Sequence, residues 1–371
     1  MSTARPFLSV VMPAHRGTAV LRESLPALLA SDLPRSEWEL IVVDDASGDP
    51  TPDVAAEYAD RVIRLEGRPR GPAFARNRGV EASRGTAVVF IDADVCVHPP
   101  ALRQMAEAFH ADPRIAAVFG SYDAEPRAPG IVSRFRNLLH HHVHQMNPGP
   151  AETFWAGCGA VRRDVLLDVG MYDEERYPRP QIEDIELGRR LRRAGHRIEL
   201  RPDIQCTHLK RWTLHNMTRT DFLDRGVPWM RLLLSEGPSD TPATLNLRIR
   251  EKVCTALVAV AGLALLTAIV LRSLPALIVA AGAILMVIAL NHRFYRLLGS
   301  RHGILLAAAA VPLHVLFYVT AGSAAVVAAL THHAGNTPPP QKPSSVAVPA
   351  APPAEPASSA AHDVPAGRVV R

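Results

Sequence analysis

Acidic residues gather in this chain where acids are costly to place. The apolar run Ala87 to Ile91 ends on Asp92-Ala93-Asp94, and the earlier run Leu40 to Val43 ends on Asp44-Asp45. Burying a carboxylate costs several kcal/mol unless it is paired or bound to metal. Two carboxylates one residue apart reach a single hard cation. Mg²⁺ or Mn²⁺ takes such oxygen ligands and commonly bridges to phosphate oxygens. The plainer readings are a solvated turn for Asp92 and Asp94, and a cap on the helix after Ser47 for Asp44-Asp45. A third pair, Glu183-Asp184, follows the loop Tyr177-Pro178-Arg179-Pro180 and opens an expected helix, Ile185 to Ala194. Acids in a first turn also suit the helix dipole. His140, His141, His142 and His144 suggest a metal cluster, but no carboxylate or Cys partners them at ligand spacing, and a polar helix is the better reading.

The elements around these acids set the architecture. Phe7 to Met12, Leu40 to Val43, Arg61 to Leu65 and Ala87 to Ile91 read as buried strands. Val20 to Ala30, Thr51 to Tyr58 and Ala73 to Ser83 read as the helices between them. Alternation of this kind implies an α/β domain with a mostly parallel sheet. Ligands of such sheets sit at the carboxyl ends of the strands, where two of the acidic pairs lie.

Taken in order, several stretches resemble inverting family-2 glycosyltransferases of the GT-A fold. They are Ser9-Val10-Val11-Met12-Pro13-Ala14-His15, Ile41-Val42-Val43-Asp44-Asp45-Ala46-Ser47, Gly71-Pro72-Ala73 with Ala75-Arg76-Asn77 and Gly79, and Phe90-Ile91-Asp92-Ala93-Asp94. Later come Gly157-Cys158-Gly159-Ala160 and Glu183-Asp184 with Glu186-Leu187. The resemblance covers about residues 7 to 212. It implies that Pro13, Ala14, His15 and Asp45, with Asp44 as neighbour, hold the nucleobase and ribose of a nucleotide-diphospho-sugar. Arg76 would reach the diphosphate, Asp92 would contact ribose or metal, and Asp94 would be the main ligand of Mg²⁺ or Mn²⁺. His208 would close the metal or phosphate site, with a surface histidine as the competing reading, and Lys210 or Arg211 would touch phosphate. Asp184 would be the base that deprotonates an acceptor hydroxyl, with Glu183 placing the acceptor or the helix. Trp155, Gly157, Cys158 and Gly159 would line the acceptor pocket. Processive synthases carry Gln-x-x-Arg-Trp after the acid pair. Here Gln205 is followed three residues on by His208, and Arg211-Trp212 comes too late, so transfer of a single sugar is expected.

Composition divides the chain into a GT-A domain over 1–210, a segment over 211–252 that reads equally as interfacial or as an amphipathic helix packed on the domain, transmembrane helices over 253–330 and a Pro/Ala-rich tail over 331–371 that is expected to be disordered. The apolar runs 253–271, 274–290 and 304–330 read as three spans, the second short for a crossing. Arg248, Arg250 and Lys252 before the first run and Arg293, Arg296 and Arg301 before the third place the domain in the cytoplasm by the positive-inside rule. Three crossings then put the tail on the opposite face. The N-terminus has no signal core. The cysteines (Cys96, Cys158, Cys206, Cys254) show no CxxC spacing or disulfide framework. A net charge of +5 is too mild and scattered for nucleic acid. The expected partners are the nucleotide-sugar, a lipid or lipid-linked acceptor and the membrane. Alternatives are a polyprenyl-phosphate sugar synthase, or a non-catalytic membrane-bound protein that binds nucleotide-sugar.

Overall fold

Apolar strands with acids at their ends form one continuous sheet in the computed structural model, which describes residues 6–236, 245 and 248–332. In chain order the domain runs β1 (Leu8–Ala14), α1 (Thr18–Leu29), β2 (Trp38–Asp45), α2 (Thr51–Ala56), β3 (Arg61–Leu65), α3 (Pro72–Ala82), β4 (Ala87–Ile91) and β5 (Val95–Val97). It continues with α4 (Ala101–Ala111), β6 (Ile115–Tyr122), α5 (Ile131–Gln145), β7 (Gly149–Pro150), β8 (Cys158–Arg162), α6 (Arg163–Asp168), α7 (Glu183–Arg193) and β9 (Arg197–His208). The strand order is β3-β2-β1-β4-β8-β6-β9-β5, with β7 paired to β9. β3, β2, β1 and β4 are parallel neighbours. Antiparallel β8 then joins β4 to β6. β1 and β2 are buried along nearly their whole length, because helices cover both faces. Two cores result. One lies under α1 and α4 around Leu21, Leu25 and Phe109, the other under α3 and α7 around Phe90, Phe154 and Leu187.

The strand pairs bring the acidic ends together. Ala14 at the end of β1 pairs with Asp44 of β2, while β4 stops at Ile91, one residue before Asp92. β5 turns back to pair Val95 with His208, the last residue of β9, and so places that histidine beside Asp94. This pairing spans more than a hundred residues, and local pattern does not announce it.

Past the sheet, the segment after residue 210 breaks into α8 (Leu214–Arg219), a π-helical turn (Thr220–Gly226) and α9 (Val227–Glu236). A reciprocal capping box between Thr213 and Asn216 starts α8. Then follow α10 (Ile249–Leu271), α11 (Leu274–Leu290), α12 (His292–His302) and α13 (Ile304–His332). By length and composition α10 and α13 are able to cross a membrane, and both contain runs expected to span. α11 is shorter, 17 residues, and meets α12 at a bend of 69°. Arg272 in the left-handed region turns α10 into α11, and the Ser273 hydroxyl caps the second helix. A buried polar cluster holds the base of this hairpin. The Tyr318 hydroxyl lies 2.9 Å from Glu251 and 3.4 Å from Asn291, whose amide donates to Cys254. The expected tail lies outside the described residues beyond His332.

Candidate active site

The acidic strand ends open into a cleft of about 860 Å³. Pro13, Ala14, His15, Asp45, Arg76, Asp92, Asp94, Trp155, Glu183, Asp184 and His208 all line it. Asp44 does not. It is buried, and its carboxylate accepts from the hydroxyl and amide of Ser47, the structural role left open from sequence. Asp45 accepts from the backbone N–H groups of Arg70 at 3.0 Å and Gly71 at 2.7 Å, which fixes the loop before α3 against the cleft. Gly71 has φ +90, and a Cβ there would lie 2.6 Å from the Pro178 carbonyl. The donor-side loop and the loop leading to Glu183 are therefore in contact.

Arg76 is buried, and it forks between Asp92 at 2.7 Å and Glu183 at 2.9 Å. Burial opposes its charge, but Asp92, Tyr172, Glu183 and Asp184 outweigh that, and its pKa is raised. The guanidinium expected on a diphosphate thus joins two acidic sites, the end of β4 and the start of α7. Only its Nε lacks a hydrogen-bond partner among the described residues. The Asp92 side chain is 36% exposed yet enclosed by the cleft walls. That enclosure pushes its pKa up, against the pull of Arg76.

Asp94 and His208 face each other across 3.4 Å, between Oδ2 and Nε2. Burial alone would raise the Asp94 pKa, but His208 and then Lys210 overcome it and hold the carboxyl below its ordinary range. The other ring nitrogen of His208, Nδ1, is 2.8 Å from the Asn137 side-chain oxygen. That contact fixes the ring so that Nε2 faces the carboxylate. Such an arrangement suits a shared cation, and a partner that fixes the tautomer is characteristic of histidine ligands. Among the described residues no three His, Cys, Asp or Glu side chains converge as a complete metal site. A cation here would need further oxygen ligands from a bound phosphate, as Mg²⁺ usually does.

Asp184 stands in the first turn of α7, and its Oδ2 accepts the Ala156 N–H at 3.2 Å. Burial, with Glu183 adjacent, pushes its pKa up to about 6. α7 reaches this position because residue 188 is glycine. A Cβ there would meet the Phe154 nitrogen at 2.2 Å. Gly157, Cys158 and Gly159 do not line the cleft; Cys158 and Gly159 lie in β8. A Cβ on Gly157 would strike the Trp155 indole at 2.5 Å, and one on Gly159 the Trp155 carbonyl at 2.5 Å. These glycines make room for Trp155 itself. The indole packs on Tyr122 at 4.8 Å and His140 at 4.7 Å, and His140 lies tilted against His144 at 4.0 Å. Burial holds both histidines neutral, His140 well below its ordinary pKa and His144 down to about 4.

Several lining residues escaped the sequence reading: Tyr122, Arg136, Asp221, Arg225 and Trp229. The spacing of Arg136, His140 and His144 on one helical face was the available signal. Arg136 pairs with Asp221 of the π-helical turn at 2.7 Å, a partner no local pattern points to. Arg225 lines the cleft, is exposed, and forms no ion pair with another described residue. Trp229 and Met230 of α9 and Phe317 and Ala321 of α13 also line the cleft.

The sequence profile described as "Glycosyl transferase family 2" matches residues 9–170. The chain carries a family 2 glycosyltransferase domain. The probable glycosyltransferase YdaM of Bacillus subtilis is 26% identical, over 53% of this chain and 49% of that protein. Glycosyltransferase AglE of Haloferax volcanii is 32% identical, over 26% of this chain and 34% of its own length. The chain thus spans about half or less of the length of these curated relatives. Among solved structures, the mannosyltransferase PcManGT of Pyrobaculum calidifontis, in complex with GDP-Man and Mn²⁺, superposes with a TM-score of 0.55 at 21% identity, covering 89% of this chain and 88% of that one. This likeness shows the GT-A fold, and it extends beyond the glycosyltransferase domain into the C-terminal helices.

Proposed function

We propose that the chain is a metal-assisted, inverting glycosyltransferase that moves a single sugar from a nucleotide-diphospho-sugar to a hydroxyl on a lipid or lipid-linked acceptor, at the cytoplasmic face of a cell membrane. The observation that carries this reading is the cleft itself. It brings the strand-end acids together with apolar side chains of α9 and α13. The nucleoside would lie along Pro13, Ala14, His15 and Asp45. Mg²⁺ or Mn²⁺ held by Asp94, Asp92 and His208 would offset the charge on the leaving diphosphate. Mn²⁺ in the PcManGT complex is consistent with that choice. Asp184 would take the acceptor proton, held by the Ala156 N–H, while Glu183 and Arg76 keep α7 in register with the donor side. Trp155, backed by Tyr122 and His140, would present an apolar face to a sugar ring.

A second reading, transfer to a lipid phosphate as in a polyprenyl-phosphate sugar synthase, is favoured by the unpaired Arg225, whose positive charge is felt at Asp184. Detergent-purified protein with Mn²⁺, screened against nucleotide sugars for release of nucleoside diphosphate, tests the shared core of both. A folded protein that neither binds nor turns over any nucleotide sugar would leave only a non-catalytic role or none.

A further inference from the structure

Both ends of α13 are tied to the glycosyltransferase domain. Just before its start, His302 Nε2 lies 3.0 Å from the carbonyl of Ala124, and Arg301 approaches Glu125 at 3.5 Å, two and three residues past the end of β6. Near its end, the Thr331 hydroxyl accepts from Arg231 of α9 at 2.8 Å. Five residues further along α9, Glu236 pairs with Arg189 and, at 2.7 Å, with Arg193 at the end of α7. β6 and β9 run side by side from Ile115↔Arg197 to Tyr122↔Cys206. The first anchorage lies just past the carboxyl end of β6, and the second reaches α7 through α9, so α13 is held at both ends. Its 29 residues make a rod of about 43 Å.

The pattern along α13 agrees. Leu306, Ala310, His314, Tyr318, Ala324 and Ala328 form a buried stripe from one end to the other. It is covered first by Phe135 and Phe294, around Tyr318 by Cys254 and Val258 at the base of α10, and later by the π-helical turn, where a Cβ on Gly226 would lie 2.8 Å from Ala324. Leu305, Pro312, Val319, Val326 and Leu330 form an exposed, uncharged stripe. A helix that crosses a bilayer has one end about 30 Å from the other along the membrane normal. It would need the domain to follow it through the hydrocarbon. A helix lying in the headgroup layer usually offers water a polar face; here the protein domain takes the place of that face.

We infer that α13 lies flat along the lipid surface, that the α10–α11 hairpin is the inserted unit, and that the glycosyltransferase domain and His332 therefore stand on the same side of the membrane. The hairpin suits this part. Leu263, Leu266, Ile269 and Val270 are exposed, and beyond its base the charged residue is Arg272 at the tip. Exposed Lys252, Arg293 and Arg296 surround the base, where they meet anionic headgroups. This revises the three-crossing arrangement expected from hydropathy, and it is independent of which reaction the cleft performs.

The test uses the full chain. A fluorescent protein and alkaline phosphatase are fused in turn to each terminus in bacterial cells. Both termini should give fluorescence and no phosphatase activity; opposite readouts at the two ends would overturn the inference. In nanodiscs of phosphatidylglycerol and phosphatidylethanolamine, spin labels at Leu305→Cys, Val319→Cys and Leu330→Cys in a Cys96→Ser background should report equal depth. A label at Val319 roughly 15 Å deeper than the other two, as in a crossing helix, would equally overturn it.

Discussion

Asp184 carries the most specific expectation at the scale of single residues. A general base must be ionised, and this carboxyl is pushed up to about 6 by burial and by Glu183. Transfer to a hydroxyl acceptor should fall as pH drops through about 6, and a pH profile of kcat/KM should show that limb. Stability runs the other way. The folded state binds this proton more tightly than the unfolded chain, so the contribution of Asp184 is fully present below pH 3.8 and is lost as pH rises through about 6. Asp184→Asn should therefore lower kcat by about 10²–10⁴-fold, keep nucleotide binding by calorimetry, and leave the melting temperature at pH 7.5 unchanged or higher. Persistent transfer would point to a phosphate acceptor. Asp94→Asn, or EDTA with the native chain, should cut turnover by about 10²-fold or more; activity that survives chelation removes the metal from the scheme. Arg225→Gln should raise the KM for an anionic lipid acceptor about tenfold and leave that for the donor alone. Equal effects on the two substrates would place Arg225 elsewhere.

The elements show what pattern reading reaches and what it misses. Asp45 and Asp92 were legible because apolar runs announce buried strands and the acids follow them directly. The neighbour of Asp45 was not separable from it by sequence: Asp44 turns back onto Ser47, and only the backbone path decides which of two adjacent acids faces the cleft. Gly157 and Gly159 looked like room for a sugar, yet the space is filled by the Trp155 indole at the first and by the Trp155 carbonyl and Phe154 ring at the second. Pairings over long separations, such as Asn137 with His208 or Arg136 with Asp221, leave no local trace. Gly188 is the clearest loss. It is an unremarked glycine inside a helix, where glycine costs about 1 kcal/mol relative to alanine, and it permits the backbone contact that seats Asp184. Gly188→Val should push α7 away from Phe154, lowering stability by several kcal/mol as overpacking does and moving the base. Thermal melts and kcat together check this, and a variant with native melting and native turnover would show that α7 has slack.

For the whole molecule, hydropathy correctly set apart an apolar C-terminal part from the glycosyltransferase domain. It could not rank the apolar helices by orientation, because composition is blind to what covers a helix. α13 and α10 look alike as strings, but 33% of the apolar window of α13 is buried against 17% of that of α10. Removing the cations at the hairpin base, with Lys252, Arg293 and Arg296 all changed to Gln, should blur the orientation. A terminal reporter would then read on both sides of the membrane, whereas an unchanged single-sided readout would assign the orientation to the folded domain.

The helix α5 belongs to two neighbourhoods at once. Arg136, Leu139, His140, Val143 and His144 look into the cleft, while Phe135 and His142 meet Phe294 of α12, and Phe135 also meets His314 of α13. Protein interiors are close-packed, so displacement on one side of such a beam reaches the other. In a bilayer, the thickness and lateral pressure of the leaflet around α12 and α13 would thereby reach the cleft, as temperature and pH do. Catalytic constants measured in detergent and in bilayers of different chain length should differ in the acceptor term, with the donor term, set at the acidic strand ends, serving as the internal reference.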